Sequence, residues 1–177
     1  QVFRLTADKK GAYTGTLWLK DAHGGGVKAA GNKLSFSGTL SGTYRDPNKN
    51  YAIQLQYEAQ AIVIHEGGSI EATAGKIAFK DCDSLMVMLN GGTDYSNQRE
   101  RGWKQEHPHK RITQSLADAS QRSFDELLKE HVDDYQKLFN RVTLDLGQTS
   151  NDITSLTTKE RLDCYRGSKV EHQVGAS

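Results

Sequence analysis

Two cysteines, two prolines and a formal net charge of only +1 in 177 residues narrow the field before any motif is read. Cys82 and Cys164 lie far apart and fit no metal-ligand spacing; a disulfide between them and two free thiols are both compatible with the sequence. A near-neutral chain lacks the strongly basic face that usually holds nucleic acid, so no nucleic-acid partner is expected. No apolar run reaches the roughly 20 residues that span a bilayer as a helix, so no membrane role is expected. A glycine-rich phosphate loop and a G-x-S-x-G nucleophile turn are both missing. Few prolines beside seventeen glycines mean turns built mainly by Gly and Asn. The first residue is Gln1, with no initiator methionine and no signal-peptide pattern, which reads as an internal start with any export signal upstream.

What is present is a rather polar globular composition, 36% hydrophobic and 25% charged, enough for one core or for one domain with a linker. Residues 1–95 read as β-structure. Short strands are predicted over 2–6, 14–20, 33–38, 69–73 and 76–80, separated by turns such as DAHGGG at 21–26 and RDPNKN at 45–50. Residues 51–65 form the longest strand, with Tyr51, Ile53, Leu55, Tyr57, Ala59, Ala61 and Val63 on one face. Gln54, Gln56, Glu58 and Gln60 take the other, wetter face. Gly67-Gly68 reads as a hairpin turn, and the apolar run 85–89 suits a sheet centre. Strands at this spacing indicate an antiparallel β-sandwich.

Residues 96–110, SNQRERGWKQEHPHK, are polar and read as an exposed loop. A helix follows over 112–121 with Ile112, Leu116 and Ala119 on one side. The main helix then opens at Ser123, where Ser123 and Glu126 make an S-x-x-E capping box. Phe124, Leu127, Leu128, Val132, Tyr135, Leu138 and Phe139 share one face of a 3.6-residue period. After Asn140 the period changes: Val142, Leu144 and Leu146 alternate with polar residues, as in a half-buried strand. Thr157 and Glu160 repeat the capping-box pattern and open a short helix through Tyr165, followed by a small polar tail.

Candidate chemistry is sparse. Trp103 could stack on a sugar ring or anchor a domain interface, or pack back on its own sandwich. His107 and His109 sit close together, yet zinc wants three or four ligands and none nearby completes a set, so no metal is expected. Trp103 and His107 are therefore the substrate or interface candidates. His131, among the apolar positions of the main helix, reads as a buried structural histidine. Asp125, Glu126, Glu130, Asp133 and Asp134 fall on the solvated face or near the helix start, where negative charge offsets the dipole.

The strings HVDDYQKLFNRVTLDLG and TTKERLDCY are preceded by YEAQ, the Gly67-Gly68 turn and a T-x-Y element at Thr93 and Tyr95. In that order they resemble glycoside hydrolase family 95, the α-L-fucosidases, over most of the chain. The resemblance implies a mainly β fold: part of an N-terminal sandwich over 1–95, the loop 96–110, and helices with a return strand closing the sandwich over 111–146. Residues 147–177 would be a linker toward an absent (α/α)6 barrel. Family members invert terminal α-L-fucose linkages, typically α-1,2, and some prefer L-galactose. Inversion needs a carboxylic acid and a base-assisted water, and the family places its Glu acid and its Asn- and Asp-assisted water in the barrel. No catalytic residue carries over, and no cofactor is expected. The implied partners are the barrel of the same parent chain and, for the parent, a fucosylated glycan; the implied location is extracellular or periplasmic. The alternative is a stand-alone carbohydrate-binding sandwich whose 96–110 loop carries the binding.

Overall fold

A computed structural model describes residues 1–45, 50–145, 147 and 151–174. The strands are β1 (Val2–Thr6), β2 (Tyr13–Trp18), β3 (Lys28–Ala30), β4 (Lys33–Arg45), β5 (Asn50–Glu66), β6 (Ser69–Thr73), β7 (Lys76–Cys82) and β8 (Ser84–Thr93). The helices are α1 (His109–Ser120), α2 (Phe124–Phe139), α3 (Asn151–Thr154) and α4 (Thr158–Val174). The strands form two antiparallel sheets, one ordered β1-β8-β5-β4-β3 and one ordered β2-β7-β6. The fold is a mainly β sandwich followed by helices. The chain divides into two compact units, residues 1–134 and 135–177.

In the first unit, period-two alternation does what it should, and on both faces of β5. Ala61 and Val63 point toward the smaller sheet and are buried with Leu34, Leu85, Ile77 and Cys82. The residue between them, Ile62, points the other way and packs with Met88 of β8 against Ile112 and Leu116 of α1. The five-stranded sheet is thus covered by a second sheet on one side and by a helix on the other. The expected wetter face of the long strand is exposed at Gln54 and Gln56 and is corrected at Glu58 and Gln60, which are buried. A face that turns apolar at Ile62 and Ile64 is a face that something covers. The apolar run 85–89 lies in β8, between β1 and β5, as its two-sided burial requires.

The Gly67-Gly68 turn is not a hairpin. β5 pairs with β4 and β8, whereas β6 pairs with β7, so the turn carries the chain from one sheet to the other. Both glycines have positive φ (63° and 57°), and a Cβ on Gly68 would collide with the Lys80 and Asp81 backbone. The chain crosses back at Asp83, whose N–H donates to the Glu66 carbonyl at 2.8 Å. The third strand, expected over 33–38, runs on to Arg45 and pairs along β5 as far as Arg45↔Asn50; the loop residues 46–49 lie outside the described residues. Cys82 is a buried free thiol with its Sγ 3.7 Å from the Ser69 and Lys80 carbonyl oxygens, so it is not bonded to Cys164.

α2 starts at its capping box: Ser123 N–H donates to Glu126 Oε2 at 2.8 Å and Glu126 N–H to Ser123 Oγ at 3.2 Å. The Ser123 N–H above all, and then the Ser123 hydroxyl, which donates to the same oxygen at 2.8 Å, hold the Glu126 carboxyl below its ordinary pKa. Arg4 fixes the start of α2 against β1, bonding Asp125 at 3.1 Å with its guanidinium 4.2 Å above the Phe124 ring. His131 is exposed rather than buried, because α2 beyond Leu127 has little packed on it within this unit: Leu128 is 46% exposed.

In the second unit, Tyr135 and Phe139 stack at 5.3 Å and are both exposed. The return strand expected over 142–146 is absent from the described residues. Val142 and Leu144 are 78% and 79% exposed and join no strand among the described residues; Leu146 lies outside the description. Alternation creates a strand only where a partner edge accepts its backbone bonds. The short helix expected through Tyr165 continues to Val174 as α4. Its box forms as predicted, with Thr157 N–H donating to Glu160 Oε2 at 2.7 Å. Arg161 ties α4 to the turn after α3 through the Thr154 and Leu156 carbonyls. No helix among the described residues is long and apolar enough to cross a membrane.

Candidate functional site

The polar residues of the first unit converge where β5, β8 and α1 meet. β8 ends at Thr93, and Asp94, 2% exposed, roots the segment that follows. Its Oδ1 accepts the Gln56 N–H at 2.9 Å, its own N–H donates to the Gln56 carbonyl, and Lys104 Nζ lies 3.6 Å from Oδ2. From this root the loop runs out and returns as a tight hairpin. Tyr95 bridges Lys104, Ser96 N–H donates to the Trp103 carbonyl, and Trp103 N–H donates to the Gln98 carbonyl. A 3-10 turn at Arg99–Arg101 closes the tip. The expected exposed loop is therefore a bonded structure rather than a slack one.

Trp103 stands at its return with φ of 63°, the left-handed region, beside Gly102 at the same angle. A bulky side chain rarely adopts that conformation, which costs on the order of 1–2 kcal/mol. The indole is 46% exposed and Tyr95 50% exposed. Trp103 is about half exposed and does not pack back fully on the sandwich.

His107 reaches the site by another route. Pro108 is buried and delivers the chain into α1. The Nδ1 atoms of both His107 and His109 face the buried carboxylate of Glu58, at 3.7 and 2.8 Å. A carboxylate only accepts, so His109 Nδ1 donates to it. Gln60 Nε2 donates to Glu58 Oε1 at 2.6 Å and to Thr113 Oγ1 at 2.9 Å. This is a satisfied polar network joining strand to helix. Among the described residues, no group of three or more His, Cys, Asp or Glu side chains is arranged to hold a metal ion. Trp103 and His107, singled out by sequence, lie on one segment but make different attachments. Glu58, Gln60, Asp94 and Thr113 were missed, although polar residues continuing an apolar strand face were the available signal for the first two.

A second polar cluster lies on the opposite face of β5, at Tyr57 beside Glu58. Asp21 accepts N–H bonds from His23 at 2.9 Å and Gly25 at 2.8 Å, and the Tyr57 hydroxyl at 2.8 Å. The His23 N–H above all holds the carboxyl below the ordinary carboxylate range, while the bond to Asp21 raises the Tyr57 phenol. Tyr57 can lie across β4 because Gly38 stands opposite it: a Cβ there would sit 2.5 Å from the phenol oxygen. The cluster shapes the DAHGGG turn and offers no free acid–base pair.

Comparison with known proteins adds a direction. Residues 123–176 match the family model of the glycosyl hydrolase family 95 catalytic domain. The chain is 26% identical over 111 residues to the probable alpha-fucosidase A of Aspergillus oryzae, covering 59% of the chain and 15% of that protein. It is 26% identical over 108 residues to alpha-L-fucosidase 2 of Arabidopsis thaliana, covering 58% of the chain and 13% of that protein. The chain is a distant relative of these proteins and spans a small part of their length. The family match begins at the capping box of α2, so the part similar to a catalytic domain takes in α2, read from sequence as closing the sandwich, as well as most of the stretch 147–177 read as a linker.

Proposed function

We propose that this chain is a non-catalytic N-terminal portion of a glycoside hydrolase resembling the inverting α-L-fucosidases, its sandwich acting as scaffold for a helical catalytic barrel. The order along the chain carries this: a two-sheet sandwich with its own core, then, from Ser123, similarity to the family 95 catalytic domain. The apolar face of α2 agrees with it. Leu128, Val132, Tyr135, Leu138 and Phe139 are all exposed in the chain as it stands, and helices with such a stripe bury it against another element. Further helices of the parent polypeptide would cover that face. The acid and the water-activating groups of an inverting reaction would come from those helices, with a fucosylated glycan as substrate. As a secreted glycan-processing enzyme, the parent would work outside the cytoplasm.

The test compares the chain with its parent. The 177-residue chain should release no L-fucose from an α-1,2-fucosylated oligosaccharide, whereas the parent polypeptide should. Fucose release by the chain alone would contradict the non-catalytic role.

A further inference from the structure

Residues 99–111 hold five fixed cations, Arg99, Arg101, Lys104, Lys110 and Arg111, against the two carboxylates Glu100 and Glu106. The fold gathers part of this set around a groove of about 540 Å³ between the loop and the first turns of α1. Arg101, Lys110, Arg111 and His107 line it, with two glutamine amides and the single carboxylate of Glu106. Its volume is in the range of small-molecule sites. Arg111 uses one N–H on the Thr93 carbonyl, at 3.3 Å. Arg101 and Lys110 have no side-chain partner among the described residues and are exposed.

The charge is also placed against the local interest of the helix. α1 begins at His109 with Pro108 as its cap, no side-chain cap bond and no acidic residue in its first turn. Lys110 and Arg111 instead put positive charge at the positive end of the helix dipole, where carboxylates are favoured. α2 and α4, by contrast, carry Glu at that end in complete capping boxes. Arg101 and Lys110, unpaired among the described residues, line this groove beside Arg111, while the carboxylate nearest the helix start, Glu58, is turned to His107 and His109; an outside anion would complete the set.

We propose that this groove binds the anionic group, sulfate ester or uronate carboxylate, of an acidic glycan. The choice of a glycan rests on the carbohydrate-active kinship under Proposed function; the choice of an anion rests on the groove. Arg101 and Arg111 can grip two oxygens of a sulfate or carboxylate in fork geometry, and Lys110 adds a point charge. Trp103 is two residues from Arg101 and about half exposed; it does not line the groove itself, but an indole beside it is the kind of ring on which a pyranose stacks.

Calorimetric titration of the protein with a sulfated fucan oligosaccharide, its desulfated counterpart, inorganic sulfate and a single-stranded oligonucleotide of equal charge tests this. The sulfated sugar should bind at least tenfold tighter than each of the others, and more weakly as salt is raised. Lys110→Glu is the sharpest variant: a first-turn carboxylate suits the helix, so its melting temperature should hold or rise while binding falls at least tenfold. Arg101→Ala should lose binding likewise without loss of stability. Equal affinity for sulfated and desulfated sugar, or unchanged binding in Lys110→Glu, would overturn the anion site yet leave a carbohydrate role standing. Oligonucleotide or free sulfate binding as tight as the sulfated sugar, or no binding of any probe, would overturn the glycan assignment. None of these outcomes depends on whether the parent is a fucosidase.

Discussion

At the scale of single residues, Trp103 is the position whose conformation and chemistry disagree most. Its positive φ favours glycine, and its exposed indole gains little from burial. Trp103→Gly should therefore stabilise the protein, or leave it unchanged, within about 1 kcal/mol. Denaturant unfolding measures this, and a loss of more than about 1 kcal/mol would mean that the indole packs to support the fold. Asp21 makes a second prediction. Its carboxyl is held below the ordinary value, so its contribution to stability is complete above the unfolded pKa of about 3.9 and is lost as pH falls through the lower folded value. Asp21→Asn should flatten the acid limb of stability against pH, leaving the share due to Glu126 and Glu160, which are shifted the same way. An unchanged limb would contradict the role given to the Asp21 turn.

At the scale of elements, legibility followed the range of the interactions. Capping boxes at Ser123 and Thr157 were readable because both partners lie within one turn. Strand positions were readable from period two. Which sheet a strand joins was not, since Gly67-Gly68 reads identically as a hairpin or as a crossing between sheets. The same limit hid α1 as the cover over Glu58 and Gln60, and made a strand of Val142 and Leu144 where no partner edge is found among the described residues. α1 should therefore be a structural clamp rather than an accessory. Ile112 is fully buried between α1 and β8, so Ile112→Ala should cost about 2–5 kcal/mol, read as a lower denaturation midpoint. A cost below about 1 kcal/mol would mean that the helix adds little to the sheet. Trp103 and His107 were visible as residue types, but the Glu58 network that receives His107 depends on residues 49 positions away.

At the scale of the whole molecule, the first unit has a core on each side of its large sheet, whereas the helices from residue 123 onward leave apolar side chains in water. A sandwich with its own core, followed by helices with exposed apolar side chains, is the contrast on which the proposed scaffold role rests. The matched stretches cover 15% and 13% of the fucosidase relatives. The measurement that bears most directly on a scaffold role is the intact mass of the protein from its source. A scaffold within a glycoside hydrolase should give a native polypeptide several times the 19.6 kDa of this chain. A native mass near 19.6 kDa would contradict it and leave a free-standing sandwich whose ligands must be sought directly.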